Sequence, residues 1–184
     1  EEYDGTSWTE SGDLNTARQE HGGSTGGTQT AALAFGGDTP PVTGNNELWD
    51  GSSWTETTDL NTARARLAGA GTSTAAIGFG GRPGAPRTTG SYSYNGSNWT
   101  ATPSLNTARS IFQSSFGIST SAIGVNGQGP PSSSPVFVDN VEEFNGSSWS
   151  EKNSTNETRR IMGGIGATGT SGLVAGGYTA PGAT

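Results

Sequence analysis

Apolar residues in this chain fall in short alternating runs and never in a helical stripe. Residues 30–37 (TAALAFGG) place Leu and Phe two apart with small residues between, and stop at a glycine pair. Alternation over so few positions marks a half-buried strand, whereas an amphipathic helix needs apolar residues three and four apart over several turns. No segment meets that second condition with capping residues at its ends. Stretches such as residues 67–73 (LAGAGTS) are strands of mostly small side chains. Others end in an aromatic, at Tyr3, Trp49, Tyr94 and Phe144, and continue through Asp-Gly or Asn-Gly (residues 4–5, 50–51, 95–96 and 145–146) into a run bearing Trp. Those dipeptides favour hairpins, because a type I′ turn needs φ > 0 at both central positions. The pattern predicts an all-β chain.

The runs repeat in phase. Trp8, Trp54, Trp99 and Trp149 lie 46, 45 and 50 residues apart, and each is followed ten residues later by an arginine, Arg18, Arg64, Arg109 and Arg159. Three of these arginines end an identical LNTAR (residues 14–18, 60–64 and 105–109), and the fourth ends TNETR. A glycine pair follows at Gly36 and Gly37, Gly80 and Gly81, and Gly176 and Gly177, with Asn126 and Gly127 in the third unit. Four strands per unit of about 45 residues, repeated around small inner strands, predict a β-propeller.

The order of these signals resembles the kelch family: a glycine pair closing the second strand, an aromatic closing the third, Trp in the fourth, and an arginine before the next unit. With its LNTAR links and near-identical units, the chain looks like kelch-type repeats of phage and environmental bacterial surface proteins. The four phased repeats predict four four-stranded blades in one domain, residues 1–184: blade 1 at 19–57, blade 2 at 65–102, blade 3 at 110–151, and blade 4 at 160–178 together with 1–10. On this reading the ends supply two strands each to the last blade, and pairing them removes exposed sheet edges. A longer array, or an open half that pairs with a second copy, stays open as an alternative.

Composition narrows the function. Gly, Ser and Thr make up 80 of the 184 residues, and hydrophobic residues only 29%. That suits thin sheets in close approach rather than a thick helical core. No run of 18 apolar residues exists, so no membrane-inserted helix is expected. A net charge of −7, with one Lys and eight Arg, argues against a nucleic-acid partner or an anionic membrane surface. There is no Cys and one His, His21, so no disulfide, thiolate, metal or cofactor chemistry is expected. Phosphate-binding and hydrolase motifs are also missing, and an enzyme is not expected.

Strand parity locates the candidate site. In an antiparallel blade the loops between strands 2 and 3 share a face with the links between blades. One face therefore gathers the variable loops 38–46, 82–90, 128–135 and 178–184 with the LNTAR links, and variable loops on a rigid scaffold are where binding resides. Arg18, Arg64, Arg109 and Arg159 open the innermost strands. They could ring a channel mouth and grip carboxylates or sulfates, or they could tie loop carbonyls and nearby acids such as Asp13 and Asp59. Asn15, Asn61, Asn106 and Asn156 are either ligand contacts beside them or turn residues bonding the backbone. The tryptophans read as packing between blades. Glu1 with Glu2, and Glu142 with Glu143, read as solvated blade edges, since strand neighbours point to opposite faces. The expectation is a non-catalytic binding module, extracellular or on a virion surface, taking a glycan or a surface protein. It could be homo-oligomeric or part of a larger fibre. The alternatives are a purely structural fibre module and, remotely, a carbohydrate-active enzyme.

Overall fold

The computed structural model describes residues 1–111, 114–130 and 136–179, and all regular structure among them is β-strand. Three complete four-stranded antiparallel sheets run in chain order: β3 to β6 (Gly22–Gly23, Ala32–Phe35, Asn46–Trp49, Trp54–Thr57), β7 to β10 (Ala68–Gly71, Ala76–Phe79, Ser91–Tyr94, Trp99–Thr102), and β11 to β14 (Ser115–Ile118, Ser121–Gly129, Val136–Phe144, Trp149–Lys152). Two-stranded sheets flank them, β1 with β2 (Glu2–Tyr3, Trp8–Thr9) and β15 with β16 (Gly163–Thr168, Ser171–Ala175). Among the described residues no ladder joins β16 to β1. The fourth sheet expected from the two ends therefore stands as separate halves. β1 and β2 share only two paired positions, Glu2 with Thr9 and Tyr3 with Trp8, whereas β15 packs along β11.

Small side chains let the first strands crowd. A Cβ on Gly69 would lie 2.3 Å from the Gly23 carbonyl oxygen, and one on Gly164 would lie 2.3 Å from that of Ser115. Between them, the Ser115 hydroxyl donates to the Gly69 carbonyl at 2.8 Å. Gly23, Gly69, Ser115 and Gly164 hold one register position in successive units, each facing the second-strand residue two before its small pair. Crowding of this kind is available only to residues that bring almost no side chain.

Aromatic residues fasten one sheet to the next. Trp99 packs on Tyr94 of its own hairpin at 5.0 Å and on Phe35 of the preceding sheet at 4.9 Å. Trp149 packs in the same way on Phe144 at 5.3 Å and on Phe79 at 4.6 Å. Such tilted and edge-on ring pairs add to the area they bury. At the ends this order breaks: Trp8 is 67% exposed against 5% for Trp99, and Leu173 is 63% exposed against 2% for its counterpart Leu33.

The turns depart from type I′. Trp49 pairs with Trp54 across four loop residues, and only the glycine of each Asp-Gly or Asn-Gly has positive φ. The Asp50 carboxylate accepts from the backbone N–H of Ser52 and Ser53 at 2.8 and 2.9 Å, and Asn95 and Asn145 repeat the arrangement. The side chain thus supplies acceptors that a two-residue turn would not need. The Ser53 N–H first, then Ser52, pull the Asp50 carboxyl down to about 2. Asn126 fits the third glycine pair because it adopts φ 54, close to the 65, 67 and 73 of Gly36, Gly80 and Gly176, and Asn tolerates this region better than most residues.

Gly69→Ala should therefore destabilise the fold by roughly 1–3 kcal/mol, the cost of overpacking against backbone. Urea denaturation checks this. Gly84→Ala is less useful as a control because Gly84 has φ 113, whereas Ser97→Ala in an exposed turn should leave the midpoint unchanged.

Candidate functional site

The LNTAR links and the second-to-third-strand loops do share a face. Leu60 N–H donates to the Gly44 carbonyl, Arg64 N–H to that of Thr43, and Leu105 N–H to that of Thr89. Loop residues 131–135 and 180–184 lie outside the described residues, so the expected loops 128–135 and 178–184 are described only in part.

The four repeated arginines occupy equivalent places with different partners. Arg18 donates to the Glu47 carboxylate and the Ala34 carbonyl, with both charged side chains fully buried. Arg109 does the same with Glu142 and the Gly124 carbonyl, again fully buried. Arg64 has Tyr92 where the others have a glutamate; its guanidinium lies 4.6 Å from the ring centroid and donates to the carbonyls of Gly80 and Gly90. Arg159 reaches the Gly176 carbonyl but pairs with its near neighbour Glu157 on the surface. The partners of Arg18 and Arg109 are therefore third-strand glutamates, not Asp13 or Asp59.

Asn15 and Asn106 complete the glutamate seats. Each donates its backbone N–H and its Nδ2 to the same carboxylate oxygen, and its Nδ2 also to the carbonyl of Trp54 or Trp149. Asn61 and Asn156 are exposed. Glu142, expected at a solvated edge, is instead wholly buried, while Glu143 on the other face pairs with Lys152 at 2.6 Å. Burial alone would raise the Glu47 carboxyl, but hydrogen bonds from Asn15 and Arg18 outweigh it and hold the group below its usual value. A sequence signal for these acids existed: Glu47, Tyr92 and Glu142 each stand two before the third-strand aromatic, and so does Glu1.

A different set of arginines lines an open cavity on the loop face. Arg66, Arg82, Arg87 and Arg160, with Gln128, surround about 370 Å³. Arg66 donates to Glu20 at 2.8 Å and Arg82 lies 3.7 Å from Asp38. Arg87, 8% exposed, donates to Gln128 Oε1 at 3.3 Å, and burial followed by the charges of Arg66 and Arg82 pushes its guanidinium below the usual value. Arg160 lies over the rings of Phe137 and Tyr178, at 5.1 and 5.2 Å. These arginines lie outside the repeated pattern, which is why the sequence reading passed over them. Asp38, Arg82, Gln128 and Tyr178 each follow a small pair and bridge back to the residue after a repeated arginine. Glu20, Arg66 and Ile161, two past that arginine, all adopt positive φ.

Two further cavities border the last unit. One, of about 520 Å³, lies between residues 20–25 and 161–164 and includes His21, whose imidazole is pushed down by burial. The other, of about 310 Å³, is lined by Asn156, Glu157, Arg159, Val174 and Gly176 among others. Asn15, Thr16, Arg18 and Ala34, the counterparts of the first four, surround Glu47 in the first complete sheet. Among the described residues no group of three or more His, Asp and Glu could hold a metal ion, and no helix is long and apolar enough to cross a membrane. No family model matches the chain, and no curated protein matches it.

Glu142→Gln should cost roughly 3–5 kcal/mol, because it leaves Arg109 buried without its charge partner. Because the folded Glu47 carboxyl sits below its usual value of 4.5, its contribution is complete above that pH and is lost as pH falls through the folded value. Glu47→Gln should therefore flatten the acid limb of the stability curve. Denaturant midpoints measured from pH 7 down to acid check both.

Proposed function

We propose that the chain is a non-catalytic, kelch-like four-bladed propeller that binds a glycan or a surface protein through its loop face, on a virion or cell surface. One observation carries the binding reading. The framework of the units is nearly constant, yet the residues just past each small pair differ in every unit: Asp38, Arg82, Gln128 and Tyr178. Variation concentrated at one rim of a repeated scaffold is the arrangement expected of a recognition surface. The opposite face carries four near-identical Asp-Gly or Asn-Gly turns, which offer little selectivity.

Three features support closure into a ring, with residues 1–10 completing the fourth blade. The cavity beside Arg159 is walled by the counterparts of the residues that seat Glu47, and Glu1 is the residue in phase to fill it. Gly5 has nothing within 4 Å, while a Cβ on Gly51, Gly96 or Gly146 would meet Thr30, Thr74 or Thr120, in phase with Thr170. Trp8, Ile165 and Leu173 are exposed at positions whose counterparts are largely buried. The same exposed residues favour a second reading, a structural module in a fibre that stacks on a further copy or repeat.

A saccharide array separates the two readings. The binding reading expects retention of a subset of saccharides, lost in Gln128→Ala and kept in Ser147→Ala on the opposite face. Silence across diverse neutral and acidic saccharides, or binding indifferent to the rim substitution, would favour the fibre module.

A further inference from the structure

The cations of this acidic chain are sharply partitioned. Of nine Lys and Arg residues, four are the repeated arginines and one, Lys152, pairs with Glu143 on an outer strand. All the others, Arg66, Arg82, Arg87 and Arg160, line a single cavity. A chain of net charge −7 thus places every cation that is not part of the repeat, save one, around one opening on the loop face.

Packing like charges together is unfavourable unless something offsets it. Glu20 and Asp38 compensate in part, the first in contact with Arg66 and the second at the longer distance of 3.7 Å from Arg82. The Nε atoms of Arg82 and Arg160 are buried and have no hydrogen-bond partner among the described residues. A buried donor left unsatisfied is costly, and a guanidinium fork suits planar or tetrahedral oxyanions through paired N–H groups. Arg160 is held in place by the two aromatic rings, and Arg87 by Gln128, so these two guanidinium groups are positioned before any ligand arrives.

We infer that the cavity bounded by Arg66, Arg82, Arg87 and Arg160 is an oxyanion site, which takes a sulfate or carboxylate group carried on an acidic saccharide. The cavity is larger than a lone oxyanion needs, leaving room for the sugar that bears it. This assignment rests on the binding reading of the loop face and narrows it to acidic ligands.

The test follows the arginine Nε–Hε resonances by NMR while sodium sulfate replaces sodium chloride at constant ionic strength. Sulfated and uronate oligosaccharides are titrated next, with a neutral oligosaccharide of the same length beside them. Saturable shifts at Arg82 and Arg160 are expected. Binding should weaken roughly tenfold or more in Arg82→Gln and in Arg160→Gln, since each loses a charge-assisted hydrogen bond, and should be unchanged in Lys152→Gln. The oligosaccharide arm distinguishes a sulfate from a carboxylate ligand. Shifts that never saturate, or equal weakening in Lys152→Gln, would overturn the site. If the neutral oligosaccharide binds the loop face as well as the acidic ones, the oxyanion assignment fails while the binding reading stands.

Discussion

An arginine at the start of a unit joins it to the preceding one, as Arg64, Arg109 and Arg159 do, and the remaining architecture depends on it. Its backbone carbonyl accepts from the small pair of the preceding unit: Gly37 N–H to Arg64, Gly81 N–H to Arg109 and Gly127 N–H to Arg159, at 2.8, 2.9 and 3.0 Å. In Arg18, Arg64 and Arg109 the guanidinium turns the other way, to the second and third strands of its own sheet. A single residue thereby fixes both the spacing between sheets and the seat of the link. The close approach also favours glycine at the first place of the pair. A Cβ on Gly36 or Gly80 would come within 2.6 or 2.8 Å of the same carbonyl oxygens.

Burying a charge is costly unless its partner is buried with it and the remaining donors are met. The first and third complete sheets bury the partner, a glutamate that accepts from an arginine, an asparagine and a threonine N–H at once, and leave only the arginine Nε without a hydrogen-bond partner among the described residues. The second sheet uses Tyr92 instead, giving Arg64 an aromatic face and carbonyls in place of a countercharge. The exchange shows that the position two before the third-strand aromatic is an arginine seat first and an acid position second. Burial pushes the Arg64 guanidinium below its usual value, and only Tyr92 opposes the shift.

Much of the fold was legible in the sequence because it recurs. Strand number, strand order and the shared face of links and loops all follow from four phased Trp and Arg positions. The buried glutamates were not read, because Glu142 and Glu143 look alike in sequence and only the strand's two faces separate them. Turn geometry was misread since Asp50 or Asn95 acts through its side chain, which a dipeptide rule ignores. The arginines of the oxyanion cavity were missed for the opposite reason: Arg66, Arg82, Arg87 and Arg160 obey no period. They converge only when links and loops of three units meet at one rim.

Radial placement of the units, with residues 1–10 completing the last blade, is the claim on which the rim and its ligand depend. Applied to a closed last blade, the shared register of the complete sheets, Leu33 opposite Leu48, Ile77 opposite Ser93 and Ile123 opposite Glu143, would set Glu2 opposite Leu173. The chain has no cysteine, so the double variant Glu2→Cys, Leu173→Cys carries the only two thiols. Mild oxidation of dilute protein, followed by mass analysis without reductant, should give a monomer with one internal disulfide. Thiols that stay free, or that link only between chains, would contradict the radial account.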